Sequence, residues 1–133
     1  MVQRKRAQEE KVLTEVELEV MNAIWALGRC TVREVHEALS QERELAYTSV
    51  ATMMKILEQK RILRAQKGEK AHFYEPLLLK SEYEAMSLKH LANHLFEGSP
   101  TSMVMRLLDG TDLSKPEIDA IRKLLAKKSE SRS

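Results

Sequence analysis

The chain has 133 residues, of which 43% are hydrophobic and 32% are charged, and its formal net charge is +2. This composition indicates a globular protein with room for one small domain and a helical extension, and it excludes a disordered chain. No apolar run approaches the roughly 20 residues that cross a bilayer, and the N-terminus leads into charged sequence, so we expect a cytoplasmic protein without a membrane span. The single cysteine, Cys30, excludes an internal disulfide and a metal site built from several thiolates.

Four matches to the capping-box pattern mark helix starts along the chain. They are Thr14 with Glu17, Thr31 with Glu34, Ser81 with Glu84, and Ser114 with Glu117. The first predicts a helix over residues 15–27, which ends near Gly28, and the second predicts a helix over residues 32–39. A short turn over residues 41–45 then leads into a third helix.

The third predicted helix, which includes residues 48–59, has two unlike faces. Helical spacing places on its anchoring face Val50, Met53, Met54 and Leu57. The opposite face is small, hydroxylated or basic, and it consists of Thr48, Ala51, Thr52 and Lys55. Such side chains fit the DNA major groove, where hydroxyls reach base edges or phosphates and a lysine pairs with a phosphate. A Thr-rich surface helix is the alternative for this segment taken alone.

Two short strand-like runs joined by a polar turn follow over residues 64–76. Together with the three helices they predict a winged helix-turn-helix, a mainly α fold with a small β-hairpin. Residues 46–80 hold seven cations against three anions, whereas residues 7–45 hold four cations against nine anions. We therefore expect the hairpin, through Arg64, Lys67 and Lys70, to contact DNA phosphates in a salt-sensitive way.

Beyond Pro76 the periodicity predicts three more helices, over residues 82–96, 100–108 and 115–126. The second of these has Ser99 as N-cap and Pro100 in its first turn, with Gly110 past its end. The apolar stripes of these helices exceed what three short helices can bury among themselves, which predicts a homodimer. The side chains predicted to hold the dimer are Leu88, Leu91, Leu95, Met103, Val104, Leu107, Leu108, Ile118, Ile121 and Leu125. Packing of these helices onto the winged-helix core of a monomer is the alternative.

These patterns divide the chain into four segments. They are a flexible N-terminal tail of residues 1–12, a winged helix-turn-helix DNA-binding domain of residues 13–80, a helical dimerisation region of residues 81–126 and a flexible tail of residues 127–133. We expect the dimerisation region to set the spacing of two half-sites on the DNA.

The sequence offers no support for catalysis or for a cofactor. It contains no nucleophile elbow, no phosphate-binding glycine loop and no convincing acid–base pair, so we predict no catalytic residue. His90 and His94 lie four residues apart on a predicted helix, but two imidazoles make an incomplete metal site. We therefore predict no metal site and interpret both histidines as polar surface or interface residues.

Several separated motifs between Leu13 and Lys128 carry a family resemblance. They are LTEVE from Leu13, TVREVHEAL from Thr31, AYTSV from Ala46, and DLS from Asp112 followed by Glu117. In this order they resemble the penicillinase-repressor family of bacterial transcription regulators, BlaI/MecI/CopY. The resemblance implies a homodimeric winged-helix repressor that binds a palindromic operator of double-stranded DNA and blocks transcription of resistance or stress genes. It also implies that the residues facing the operator are Thr48, Ser49, Thr52 and Lys55.

The chain departs from the family pattern at three places. Relatives have Lys-Gly after the recognition helix, whereas this chain has Lys60-Arg61, so a left-handed capping glycine is missing and Arg61 is expected to add a phosphate contact. The best-known members that respond to β-lactams are inactivated by a regulatory protease at an Asn-Phe pair, whereas the matching position here is Arg106-Leu107, so a protease that acts at this position would need a different specificity. Copper-responsive members carry a C-terminal cysteine cluster that this chain lacks. The inducing signal is therefore unassigned.

Two other functions are compatible with the same predicted fold. A winged-helix module that binds a protein would not require the positive charge gathered in residues 46–80. A transcriptional activator of this fold cannot be separated from a repressor by sequence.

Overall fold

The computed structural model describes residues 12–132, which form helices and one antiparallel hairpin. The elements in chain order are α1 (Glu15–Leu27), α2 (Val32–Ser40), α3 (Tyr47–Gln59), β1 (Leu63–Lys67), β2 (His72–Pro76), α4 (Lys80–Leu95), α5 (Pro100–Gly110) and α6 (Lys115–Arg132). This order confirms the predicted winged helix-turn-helix followed by helices. The predicted N-terminal tail of residues 1–12 lies outside the described residues except for Val12.

The chain divides after Leu88 into two compact units. This division falls within α4, eight residues after the domain limit that we predicted at residue 80. The predicted domain limits, including that at residue 126, stay predictions.

The starts of α1 and α2 follow the local sequence. The Thr14 hydroxyl accepts the Glu17 N–H and the Glu17 carboxylate accepts the Thr14 N–H, which completes the predicted capping box of α1. Thr31 and Glu34 form the same reciprocal pair at α2. Both boxes are confirmed because each needs only partners three residues apart.

The core of the first unit is formed by one face of each of its first three helices together with the hairpin. Its fully buried side chains include Val20, Met21, Ile24, Val35, Val50, Met54, Leu57, Ile62 and Leu63. Val50, Met54 and Leu57 confirm the predicted anchoring face of α3, and Met53 packs against the core while partly buried. The remaining face of α3 is thereby left toward solvent.

The hairpin pairs β1 with β2, with Leu63 opposite Pro76 and Lys67 opposite His72. A third short segment joins it, because the backbone of Cys30 exchanges two hydrogen bonds with that of Tyr74, at 2.9 and 2.7 Å. This bridge attaches the α1–α2 connection to the wing. Cys30 is fully buried there, and burial raises the pKa of its thiol to about 11.

The predicted start of α4 is wrong. The helix begins at Lys80, and Glu82, rather than Glu84, accepts a backbone N–H, from Leu79 at 2.9 Å. Distant contacts fix this segment, because the Trp25 indole N–H donates to the Leu78 carbonyl at 2.9 Å. The Tyr83 hydroxyl, in turn, accepts the Leu13 N–H at 3.0 Å. The helix therefore begins two residues before the start predicted from Ser81.

The second unit contains the last part of α4 together with α5 and α6. Ser99 caps α5 as predicted, but Gly110 is the last residue of that helix instead of lying past its end. Ser114 and Glu117 form the predicted reciprocal pair at α6. The end predicted for α6 at residue 126 is six residues too early, because residues 127–132 contain no glycine or proline that would stop the helix.

Candidate nucleic-acid interface

The exposed face of α3 carries all four side chains predicted to face DNA. They are Thr48, Ser49, Thr52 and Lys55. Ala51, on the same side of the helical wheel, is half-buried. Sequence reasoning missed two further exposed side chains of this helix, Tyr47 at 49% and Ile56 at 39% exposure. Because both side chains are largely apolar, the sequence offered no reason to assign them a DNA contact. The position of Tyr47 next to the start of the predicted helix could nevertheless be read from the sequence.

The end of α3 adopts the left-handed conformation that glycine favours. Arg61 has φ 62°, and the N–H of Ile62 donates to the Leu57 carbonyl at 2.9 Å, as in a helix-ending turn. The position predicted from the missing glycine is therefore confirmed as left-handed. The Arg61 side chain is exposed beyond the end of α3. Its DNA contact stays a prediction.

The cations of the wing fall into two groups. Arg64 forms an ion pair with Glu75 directly across the hairpin, so part of its charge is neutralised within the protein. Lys67 and Lys70 are exposed, and neither has an acidic partner among residues 12–132. Arg29, which we did not predict as part of this surface, lies 4.5 Å above the centre of the Phe73 ring in β2. The two lysines therefore remain available to a phosphate at the tip of the wing, where Glu69 lies between them in the sequence.

Glycine is required at the wing tip by close backbone approach. The N–H of Gly68 donates to the Ala71 carbonyl at 2.8 Å. A Cβ at Gly68 would lie 2.7 Å from that carbonyl oxygen and 3.0 Å from the Phe73 ring. The turn thus brings Lys67 and Lys70 to adjoining positions at the end of the hairpin.

The helices after the wing leave much of their apolar surface exposed. Eight of the ten side chains predicted to hold a dimer are exposed in the single chain, and they are Leu88, Leu91, Leu95, Val104, Leu107, Leu108, Ile118 and Leu125. Met103 and Ile121 are half-buried. Met105 and Leu124 are also exposed, at 60% and 66%, and we did not include them. Dimerisation through these residues stays a prediction.

The other candidate positions are exposed or incomplete as sites. Arg106 and Leu107, which match the cleavage pair of β-lactam-responsive relatives, lie exposed within α5, and cleavage there stays a prediction. The rings of His90 and His94 lie 4.2 Å apart, and the described part of the chain contains no group of three or more side chains suited to a metal. No described helix combines the length and the apolar character needed to cross a membrane.

Comparison with known proteins identifies the family. The family model described as penicillinase repressor matches residues 13–127. The transcriptional regulator BlaI of Mycobacterium tuberculosis is 35% identical over 86% of this chain and 83% of its own length. The methicillin resistance regulatory protein MecI of Mammaliicoccus sciuri is 27% identical over 87% of this chain and 94% of its own.

A solved structure of a related protein matches part of the chain. BlaI of Bacillus licheniformis, in its monomeric form in complex with the blaP half-operator, matches with 29% identity and a TM-score of 0.48. The match covers 54% of this chain and 88% of that one. The match of the family model over most of the chain and the identity to BlaI of Mycobacterium tuberculosis together establish that the chain belongs to the penicillinase repressor family.

Proposed function

We propose that this protein is a homodimeric, sequence-specific DNA-binding repressor that binds a palindromic operator and controls resistance or stress genes. The observation that carries the proposal is the division of α3 into a face buried in the core and a face of exposed hydroxyl and ammonium groups. Val50 and Met54 are fully buried, whereas Thr48, Thr52 and Lys55 are exposed. A helix anchored in this way can enter the major groove as a rigid unit.

Side-chain chemistry assigns different roles to the hydroxyl groups of α3 and to the lysines. The hydroxyls of Thr48, Ser49 and Thr52 donate to or accept from base edges, and the threonine methyls contact thymine. Lys55 and the wing lysines neutralise phosphates, which positions the helix but carries no sequence information. Specificity is therefore assigned to α3, and much of the affinity to the wing.

The dimer in this proposal is formed through the apolar side chains exposed along the last three helices. Leu95 is 67% exposed and Leu107 is 60% exposed in the single chain. Large aliphatic side chains exposed in such number are characteristic of surfaces that meet a partner. A two-fold axis between copies would present two α3 helices to two half-sites, as a palindromic operator requires.

The names of the relatives support a regulatory role. They are described as a transcriptional regulator, a methicillin resistance regulatory protein and, in Staphylococcus aureus, a penicillinase repressor. The last is 24% identical over 90% of this chain. Resistance genes are accordingly the class of target that we propose.

Selection of duplexes from a random library, combined with light scattering of the free protein, tests the proposal. We expect a dimer in solution, enrichment of a palindromic sequence, and an affinity that falls steeply as salt increases. In a reconstituted transcription reaction, the protein should lower transcript yield from a promoter that overlaps the selected sequence. If no duplex were enriched, sequence-specific DNA recognition would be refuted. A rise in transcript yield would identify an activator.

A further inference from the structure

The start of α3 lacks the side-chain cap that fixes α1 and α2. Its N-cap residue, Ala46, forms no side-chain hydrogen bond, whereas α1 and α2 both begin with complete capping boxes. The N–H groups of Ser49 and Val50 both donate to the Ala46 carbonyl, at 3.1 and 3.2 Å. The first turn of α3 therefore lacks the local stabilisation that a side-chain cap gives to α1 and α2.

His36 on α2 contacts the two residues that flank this uncapped position, although it accepts none of the N–H groups of the first turn. Its Nε2 lies 2.8 Å from the Leu45 carbonyl oxygen, and since a carbonyl can only accept, Nε2 is the protonated nitrogen that donates. The His36 ring also meets the Tyr47 ring edge to face, with centroids 5.6 Å apart and planes inclined at 73°. One side chain thus contacts the residues on both sides of Ala46.

The first part of the segment between these helices is held by hydrogen bonds from the backbone N–H groups of residues 42 and 43 to the Leu39 carbonyl, at 3.1 and 3.2 Å, and by the ion pair of Arg43 with Glu19 on α1. Residues 41–44 are exposed, and with His36, Ser40 and Leu45 they line an open surface pocket. Leu45 is half-buried and packs against the core. The end of the segment, immediately before Thr48 and Ser49, is held by the Leu45 side chain and by the His36 hydrogen bond, so loss of that bond would loosen this end.

We propose that His36 is a positioning residue for DNA recognition: it fixes the α2–α3 turn and the first turn of α3, so that Thr48 and Ser49 meet the bases in one orientation. The inference rests on the proposed function for its effect on DNA, but its structural part can be tested on the free protein. His36 itself is assigned no contact with DNA. Its removal affects discrimination between sequences more than binding to phosphates.

Three variants separate the two contacts of His36. His36→Gln keeps an N–H donor at the same number of bonds from the backbone but loses the ring, and His36→Phe keeps a ring but loses the donor. His36→Ala loses both. As a control, Ile24→Val removes one methylene from the α1 core, where Ile24 is fully buried, and leaves the α2–α3 turn intact.

The first readout is the ratio of affinities for a duplex selected by the wild-type protein and for a random duplex at the same salt. We expect His36→Ala to lower this ratio about tenfold, the effect of one lost hydrogen bond, and His36→Gln to restore part of it. Ile24→Val should lower the melting temperature and leave the ratio unchanged. An unchanged ratio in His36→Ala, or an equal fall in Ile24→Val, overturns the role in recognition.

The second readout is hydrogen exchange of the free protein. We expect the amides of Ser49 and Val50 to exchange about tenfold faster in His36→Ala, beyond any general change seen at α1. Unchanged exchange at these two amides would overturn the positioning itself. A wild-type protein that selects no duplex would instead refute the proposed function, and the exchange result would still decide whether His36 positions α3.

Discussion

The ammonium group of Lys60 lies 2.8 Å from Oε2 of Glu17, and this ion pair joins the end of α3 to the first turn of α1. The other carboxylate oxygen, Oε1, accepts the Thr14 N–H at 2.9 Å. The Glu17 side chain is only 7% exposed, so its charge requires these partners. One carboxylate therefore completes the α1 cap and also anchors the proposed recognition helix.

Replacement of Glu17 by glutamine should lower the free energy of unfolding at neutral pH by about 1–2 kcal/mol, because glutamine keeps an acceptor for Thr14 but loses the charge opposite Lys60. Lys60 is 38% exposed and can regain water, which limits the loss. Urea unfolding measures this loss in the free energy of unfolding. Glu34→Gln, in the exposed capping box of α2, is the matched control and should lower the free energy of unfolding by a smaller amount. Equal losses in the two variants would contradict a special role for the ion pair.

The contribution of Glu17 should also depend on pH. Burial raises the pKa of this carboxyl, but hydrogen bonds from Lys60 and Thr14 and the ammonium charge outweigh burial, so that the pKa lies below its usual 4.5. A group whose pKa is lowered by folding stabilises the protein above its unfolded pKa and loses this effect as the pH falls. The stability difference between the wild type and Glu17→Gln should thus be full at neutral pH and shrink below 4.5. A difference that stays constant on acidification would disprove this linkage.

Replacement of Arg61 by glycine should raise stability by about 1 kcal/mol, since φ 62° strains a residue that carries a Cβ. The same change should weaken binding to every duplex alike, because it removes a predicted phosphate contact. Glu97→Gly is a matched control, since Glu97 has φ 52° but lies between α4 and α5. It should gain stability without a change in DNA affinity. Denaturation measures the change in stability, and salt titrations measure the change in DNA affinity. A loss of affinity in Arg61→Gly that depends on the DNA sequence would be inconsistent with a phosphate contact.

Replacement of Lys67 by alanine should lower affinity for all sequences and make the dependence of log K on log salt shallower by about 1, because one phosphate contact is lost. Fluorescence titration at several salt concentrations measures the slope. Glu75→Gln provides the opposite test, since it releases Arg64 from its ion pair and should tighten binding and steepen the slope. An unchanged slope in Lys67→Ala would remove this lysine from the interface.

Replacement of Thr52 by alanine should reduce discrimination between the selected duplex and random DNA by about 1 kcal/mol, through loss of a base-edge contact. Competition titrations measure the ratio of the two affinities. Thr101→Ala, at an exposed threonine of α5, should leave the ratio unchanged. A uniform loss on both duplexes would assign Thr52 to the phosphate backbone.

Replacement of Leu107 by glutamate should shift the protein from dimer to monomer, because a charge cannot be buried unpaired in an apolar interface. Light scattering at several concentrations measures the mass. Thr101→Glu adds the same charge to α5 outside the predicted apolar set and should leave the dimer intact. A dimer that persists in Leu107→Glu would exclude this residue from the interface.

The sequence by itself determined the features that depend on residues close together in the chain. The caps of α1, α2 and α6 need only partners three residues apart, and the buried face of α3 follows from helical spacing. The left-handed position at Arg61 was indicated only by the family resemblance, in which relatives have a glycine there. The separation of an anchoring face from an exposed hydroxyl face therefore needed no tertiary information.

Only the tertiary structure decided which charges and helix ends are held by distant partners. Lys60 is paired with a carboxylate 43 residues earlier, and Arg64 is paired through the register of the hairpin, so neither neutralisation is visible in a local count of charges. The carbonyl of Leu78, next to the start of α4, accepts from Trp25, 53 residues away. The contact of His36 with Leu45 depends on the path of the α2–α3 turn. These features follow from packing, because folding brings together groups whose separation along the chain carries no periodic signal.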